Sequence, residues 1–279
     1  MNCFDNLQIP PETDVRIVIV ENDSENFSEN VVNEFSAKSK IKTDYFLEKR
    51  QGIVFARNRS VDEAGKCDFC CFVDDDQLVD SKWLAELTKC QKEFNADGVS
   101  GSSPPMFLFK VPEYIKHFHT RKTYPYGTIR ESANTGCLLL RKEYLDRVEG
   151  PFDIRLNFTG GEDSYLTHLI TIKGGVIRYN PDAIASEVIP KERTTIKFVL
   201  IRSFRIANTM LLVDSLKDKE FNKWDTMPRL IMRLINGLLL LIPYLIFGKT
   251  NRLFGLIKIS RAIGGLSFVL GKTNQFYKV

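Results

Sequence analysis

The segment Phe69-Cys70-Cys71-Phe72-Val73 is apolar without alternation and then stops in three carboxylates, Asp74-Asp75-Asp76. An unbroken apolar run of this length predicts a strand with both faces covered, as in a parallel sheet flanked by helices. Such a strand carries its acids to the carboxyl edge of the sheet, where open α/β sheets bind ligands. Adjacent carboxylates there are hard oxygen donors suited to Mg²⁺ or Mn²⁺ holding a phosphate. The plainer reading is a solvated turn that also starts the helix expected near Ser81-Lys82-Trp83-Leu84. Three like charges in a row repel unless a cation neutralises them, so a purely structural turn favours Asn, Gly or Ser.

The flanking sequence alternates strand and helix signals, which predicts a layered, mostly parallel α/β sheet. Val15 to Val20 is a strand by its β-branched content, and Glu21-Asn22-Asp23-Ser24 closes it and caps a helix expected to run to Lys38. A second strand is expected over Asp44 to Leu47, then a turn, then a helix over Ile53 to Ala64 carrying Arg57, Asn58 and Arg59. Residues 97 to 109 read as a strand leaving the core into a Gly/Ser/Pro loop, a composition suited to a binding surface. Lys110 to Glu131 shows no clear period and reads as an acceptor-side loop. Its His117 and His119, at i and i+2 on a helix, would point to different faces. Further strands are expected at Asn134 to Leu140 and Val176 to Tyr179, the latter followed by a turn at Asn180-Pro181-Asp182-Ala183. Between them, Gly160-Gly161 precede Glu162-Asp163 at the start of a helix.

Four pieces in order, Ile17 to Ser24, Gly52-Ile-Val-Phe-Ala-Arg-Asn58, Phe72-Val-Asp-Asp-Asp76 and Gly160-Gly-Glu-Asp163, resemble family 2 glycosyltransferases over residues 15 to about 210. The resemblance implies the GT-A fold, which binds nucleotide-diphospho-sugars, with helices on both faces of the sheet. It implies that Glu21 contacts the nucleotide base, that Arg57 faces the nucleotide, and that Asp74 reaches the ribose and Asp76 the metal, with Asp75 beside them. A guanidinium suits a base edge or a diphosphate. The plainer reading of Arg57 is an exposed helix face.

The resemblance further implies that the Asp of the Glu162-Asp163 pair takes the proton from the acceptor hydroxyl in an inverting transfer, with Glu162 as the alternative. Capping of the helix N-terminus by two acids is the plainer account. Many relatives place a His near position 187, where this chain has Glu187, a ligand compatible with Mg²⁺ or Mn²⁺. Arg193 is expected at the diphosphate. Members of the family open with a strand and helix before the strand at Val15, so an expectation here is a sheet lacking its first strand and unpaired there on one side.

The six cysteines lie mostly in expected strands or helices, which points to reduced thiols in a cytosolic compartment. Cys67-Asp-Phe-Cys70 has redox-pair spacing but leads into a buried strand, so packing is the expected role. The net charge of +4 is uneven, with acids before residue 190 and Lys and Arg after Lys191. No basic, aromatic-interleaved groove motif is present, which argues against nucleic acid and toward an anionic membrane surface. Leu234 to Phe247 is nearly all apolar, broken by Asn236 and Pro243 and flanked by Arg229, Arg233, Lys249 and Arg252. In-plane or re-entrant helices at the cytoplasmic face, with spanning as a variant, are the expectation; a buried helical hairpin or dimer contact is the plainer one.

The expected organisation is therefore a GT-A domain over 1–215 and a membrane-associated helical region over 216–279. The expected activity is metal-dependent inverting transfer of a sugar from a nucleotide-diphospho-sugar to a glycan or lipid-linked acceptor. The alternatives are a nucleotidyltransferase, for which no Gly-rich phosphate loop is visible, and a truncated, inactive relative acting as a membrane-bound partner.

Overall fold

The structure, a computed structural model, describes residues 3–147, 150–241 and 249–273. The chain divides into two compact units, one of Met1–Pro104 with Arg121–Val188 and one of Pro105–Thr120 with Ile189–Val279.

The first unit contains β1 (Arg16–Glu21), α1 (Glu29–Ser36), β2 (Lys42–Leu47), α2 (Ile53–Ala64), β3 (Phe69–Phe72), β4 (Gln77–Val79), α3 (Trp83–Phe94) and β5 (Gly98–Ser102). The second unit interrupts it with β6 (Pro105–Met106) and α4 (Glu113–His119). The first then resumes with β7 (Ile129–Arg130), β8 (Leu138–Arg141), α5 (Lys142–Asp146), α6 (Glu162–Ile172) and β9 (Ile177–Val188). The rest of the second unit is helical: α7 (Ile196–Lys217), α8 (Met227–Leu239) and α9 (Lys249–Val269).

The layered α/β fold expected from the alternation is present, but its strands run in mixed directions. β1 and β2 pair in parallel, and β5 pairs in parallel with β9. By contrast β3 and β5 both pair antiparallel with β8, and β4 and β7 pair antiparallel with β9. An apolar run reports coverage of both faces and carries no information on direction, so β8 returning between β3 and β5 was not legible. Among the described residues β1 pairs only with β2, and β3 stands at the end of the order β3-β8-β5-β9-β4. The strand that delivers the acids is thus a sheet edge, and of its four residues only Cys70 is buried.

Two local expectations are corrected. The first helix starts at Glu29, later than the polar residues after β1 suggested, because the Glu21 carboxylate accepts the backbone N–H of Ser28 at 3.0 Å and its hydroxyl at 2.9 Å. The expected turn at Asn180 to Ala183 lies inside the continuous β9. There the register against β5 jumps from Ser100↔Tyr179 to Ser102↔Ile184. The Asn180 side chain, fully buried, donates to the Glu86 carbonyl at 2.9 Å and accepts from the Asp182 N–H at 2.9 Å. The turn chemistry is spent on a bulge in a strand.

One core cluster joins Val54 and Val61 of α2, Leu138 and Leu140 of β8, Phe152, and Leu166 and Ile170 of α6. It fixes α2 and α6 against the same sheet. A second cluster packs Trp83, Leu84, Leu87 and Cys90 of α3 against Val99 and Leu139. The second unit begins earlier than residue 216 and takes in residues 105–120, because α7 packs along α9 and because Val111, Ile115, Val199, Leu253 and Ile257 form one core. The segment without clear period therefore contains α4. The His119 ring lies among Phe107, Phe118 and Phe198. No helix among the described residues is long and apolar enough to cross a membrane. The apolar stretch 234–247 is described only to Leu241, so Pro243 lies outside the described residues.

Leu140 is completely buried at the centre of the first cluster, whereas Ile154 is 61% exposed. Leu140→Ala is expected to lower stability by about 2–5 kcal/mol and Ile154→Ala by no more than about 0.5 kcal/mol in chemical denaturation. Equal effects would contradict this placement of the core.

Candidate active site

Arg57 brings three parts of the first unit together. It sits near the middle of α2, about one turn from a start fixed by the Asn157 side chain. That amide accepts from the Val54 N–H at 3.0 Å and donates to the Gln51 carbonyl at 3.0 Å. One turn further on, the Asn58 amide donates to the Phe152 carbonyl at 2.9 Å and accepts from its N–H at 2.9 Å. Two side-chain amides thus tie α2 to the segment leading into α6. Each supplies a donor and an acceptor at once, which few other side chains can do.

From this fixed position the Arg57 guanidinium forms an ion pair with Asp74 at 3.1 Å through one nitrogen and with Glu162 through the other. Its side chain is only 13% exposed and that of Glu162 only 4%. The plainer reading of Arg57 as an exposed helix face therefore does not hold. Asp74 follows β3, and its carbonyl accepts the Gln77 N–H at 3.1 Å while its own N–H donates to the buried Gln77 side chain at 3.0 Å. This closes the three acids into a tight turn. A Cβ at Gly136 would stand 3.2 Å from an Asp74 carboxylate oxygen and 2.9 Å from the Gln77 amide, so the absence of a side chain there leaves room for the acid.

Glu162 and Asp163 open α6, preceded by Gly160 and Gly161 at φ 82° and 87°. Backbone in the left-handed region is open to glycine at no steric cost, and two in succession turn the chain sharply enough to point the helix start at Arg57. The Asp163 carboxylate accepts the next residue's N–H at 2.6 Å.

The charges do not balance. Burial pushes the Glu162 carboxyl up to about 7, with Asp163 adding to the shift and Arg57 only partly opposing it. One of its oxygens is buried without a hydrogen-bond partner. Burial also raises Asp74; Arg57 opposes this, while Asp76 and Asp163 reinforce it. Two carboxylates share the Arg57 guanidinium, and the charges of Asp76 and Asp163 act on them, an arrangement that a divalent cation would help to neutralise.

Among the described residues no three His, Cys, Asp or Glu side chains converge closely enough to hold an ion by themselves. Magnesium-like ions are commonly held by one or two carboxylates and completed by substrate phosphates, and the donor set here fits that case.

The remaining expected residues are placed as follows. Asp75 is exposed. The Asp76 carbonyl accepts the Val188 N–H at 2.8 Å, which brings the acidic turn beside the end of β9. Glu187 is there, buried, and its carboxylate is engaged by Arg121 at 2.7 Å. Glu21 is held by Ser28 and by the Tyr45 hydroxyl. Burial would raise its carboxyl, but these hydrogen bonds outweigh burial and keep it below the usual range, while Tyr45 is pushed up to about 12. Arg193 belongs to the second unit, where its carbonyl meets the His119 ring nitrogen at 3.1 Å.

Sequence reasoning missed Asn22, Asn157, Gln77 and Arg121. Asn22 organises the loop after β2, donating to the carbonyls of Glu48 and Arg50 and accepting from the Gly52 N–H at 2.8 Å. Asn22 lay within a recognised piece, and its amide was the available signal; the other three stand in no pattern.

The mixed α/β sheet with its flanking helices is a GT-A glycosyltransferase fold. Residues 2–147, just over half of the chain, match the model of glycosyl transferase family 2, and the chain belongs to that family. The succinoglycan biosynthesis protein ExoM of Rhizobium meliloti (strain 1021) is 26% identical over 206 residues, covering 73% of this chain and 66% of that protein. The chain thus spans just under two thirds of that relative's length. The mannosyltransferase PcManGT from Pyrobaculum calidifontis, solved in complex with GDP-Man and Mn²⁺, is similar with a TM-score of 0.66 at 15% identity, over 97% of this chain and 82% of that one. S. aureus TarS 1-349 in complex with UDP has a TM-score of 0.52 at 13% identity, over 97% and 86%. At such identities the likeness to these structures shows the fold alone.

A carboxyl raised by the fold binds its proton more tightly folded than unfolded, so it withdraws stability as pH rises from its ordinary value of 4.5 to about 7. The stability of Glu162→Gln relative to wild type is therefore expected to increase by about 1–3 kcal/mol between pH 4.5 and 8, read by denaturation at each pH. A difference that stays flat or falls over this range would contradict the raised carboxyl.

Proposed function

We propose that the chain is a metal-dependent, inverting glycosyltransferase that moves a sugar from a nucleotide-diphospho-sugar to a glycan or lipid-linked acceptor at the cytoplasmic face of a membrane. The observation that carries this reading is the Arg57 bridge between Asp74 and Glu162, which gathers acids from the ends of β3 and α6 beside one cation. In this reading Asp74 and Asp76 face the donor and would hold Mg²⁺ or Mn²⁺, with Glu187 as a further ligand once it exchanges Arg121 for the ion. The metal, when bound, neutralises the charge that builds on the departing nucleoside diphosphate.

The chain's own residues supply the rest. Glu162, clamped by Arg57, is the positioning acid. Asp163, adjacent on the first turn of α6, takes the proton from the acceptor hydroxyl as that oxygen attacks the anomeric carbon. Attack from the face opposite the leaving diphosphate inverts the centre. Glu21 and Asn22 shape the end of β1 for the nucleotide, and Asp75 lies at the rim.

A nucleotide that binds only the folded state raises its stability by about 2.7 kcal/mol at a hundredfold excess over Kd. Melting is expected to rise with UDP or GDP in the presence of Mn²⁺ and not to rise in Asp76→Asn. Asp163→Asn is expected to keep the shift while losing about 10²–10⁴-fold in kcat. No shift with either nucleotide, from folded wild-type protein, would overturn the donor site.

The membrane reading rests on α8. At 100° per residue Ile231, Ile235 and Leu238 share one stripe, with Met232 and Leu239 beside it, and all five are at least 42% exposed. Arg229 and Arg233 lie together beyond one edge of the stripe, past Asn236, while Leu230 and Gly237 face the opposite way and are buried. An exposed apolar face with two exposed arginines along one side suits an anionic lipid surface. Ile235→Asp is expected to weaken cosedimentation with phosphatidylserine vesicles about tenfold or more, in line with the burial of one such side chain. Unchanged binding, or no binding by wild type, would contradict it.

A further inference from the structure

Cys67 and Cys70 were expected to serve packing, but the structure places their sulfurs 3.9 Å apart. Cys67 is exposed on the segment before β3, and Cys70 is buried on β3 opposite Leu140. All six cysteines are free thiols, and the other buried ones are closed off differently. The Cys137 sulfur, for example, lies 3.0 Å from the Trp83 ring N–H and 3.4 Å from the Ala183 carbonyl.

We propose that Cys67 and Cys70 form a thiol-modification site, at which a small-molecule disulfide reacts with Cys67 and Cys70 then closes the pair to an internal disulfide. The site borders an open cavity of 760 Å³ lined by Asp62, Lys66, Cys67, Asp68, Lys142 and Asp146. That cavity admits the oxidant from solvent. It lies at the start of β3, whereas the acidic turn follows the strand's end, so the two sites are separate.

The surroundings divide the roles. A hydrogen bond from the Cys70 thiol lowers Cys67 to about 7 against the opposing effect of burial, and Lys142 lowers it further, while Asp146 and Asp68 oppose. Lys142 is held in place by its ion pair with Asp146 and by its N–H, which donates to the Asp68 carbonyl at 2.9 Å. The hydrogen bond with Cys67 and burial push Cys70 up, with Cys71 adding to the shift. Cys67 is thus the attacking sulfur and Cys70 the resolving one.

The chemistry balances with the oxidant as the only co-reactant. The Cys67 thiolate attacks one sulfur of the small disulfide. Its S–S bond breaks, one half leaves as a thiolate and takes a proton from water, and the other half remains on Cys67. The Cys70 thiol then gives up its proton and attacks the Cys67 sulfur, releasing the second half as a thiol. The two cysteines lose two electrons and the oxidant gains them. The sulfurs must close from 3.9 Å to about 2.05 Å.

The test is limited alkylation of the folded wild-type protein with iodoacetamide at pH 7, followed by peptide mass spectrometry, with the half-buried Cys3 as internal reference. Cys67 is expected to label about tenfold faster than Cys3. With oxidised glutathione, wild type is expected to form the Cys67–Cys70 disulfide, whereas Cys70→Ser stops at the glutathione adduct on Cys67. Labelling of Cys67 no faster than Cys3 would overturn the proposal, as would wild-type protein that keeps the adduct without closing. The wild-type arms stand even if the variant fails to fold.

Discussion

The Arg57 guanidinium reaches Asp74 after β3 and Glu162 at the start of α6, 17 and 105 residues away in sequence. Without it, two acids that the fold places near Asp76 and Asp163 would stand unpaired in a partly buried setting. Removing one partner of a buried charge network typically costs about 3–5 kcal/mol, because an uncompensated charge remains. Much of the first unit serves this contact. The Asn157 and Asn58 amides hold α2, the paired glycines turn the chain into α6, and Gly136 leaves room for the Asp74 carboxylate.

Arg57 bridges two acids and only partly offsets the cost of burying Glu162, and that imbalance has chemical content. A stable core would replace such a cluster by apolar packing. Its persistence at the meeting of a strand end and a helix start is what a site for a charged, metal-bearing ligand requires: acids kept close before the ligand arrives, and one of them with an oxygen left unsatisfied. The raised Glu162 carboxyl and the capped Asp163 beside it show how one dipeptide supplies two chemically different acids.

The alternation of apolar runs and helical segments was enough to read the layered α/β fold, and the acids of both site segments were legible because one set follows an apolar run and the other opens a helix after paired glycines. The register jump in β9 was not legible, since Asn180-Pro181-Asp182 carries turn chemistry whether it ends a strand or bulges one. Strand direction was equally hidden, because burial on both faces is compatible with either sense. Asn157, Gln77 and Arg121 were missed for a related reason: their roles depend on partners 66 to 108 residues away or on one turn's closure, and no local period marks them. Cys70 packs in the first core cluster as its place in a strand suggested, but the approach of the Cys67 sulfur to it was not legible from the spacing.

Arg57 joins α2 to α6 as one electrostatic unit. A double-mutant cycle of Arg57→Ala and Glu162→Gln, measured by chemical denaturation at pH 8, isolates that coupling. It is expected to give about 1–3 kcal/mol of interaction energy, with the double variant less destabilised than the sum of the singles. Additivity within about 0.3–0.5 kcal/mol would contradict the bridge and, with it, the assembly of the site around a single cation.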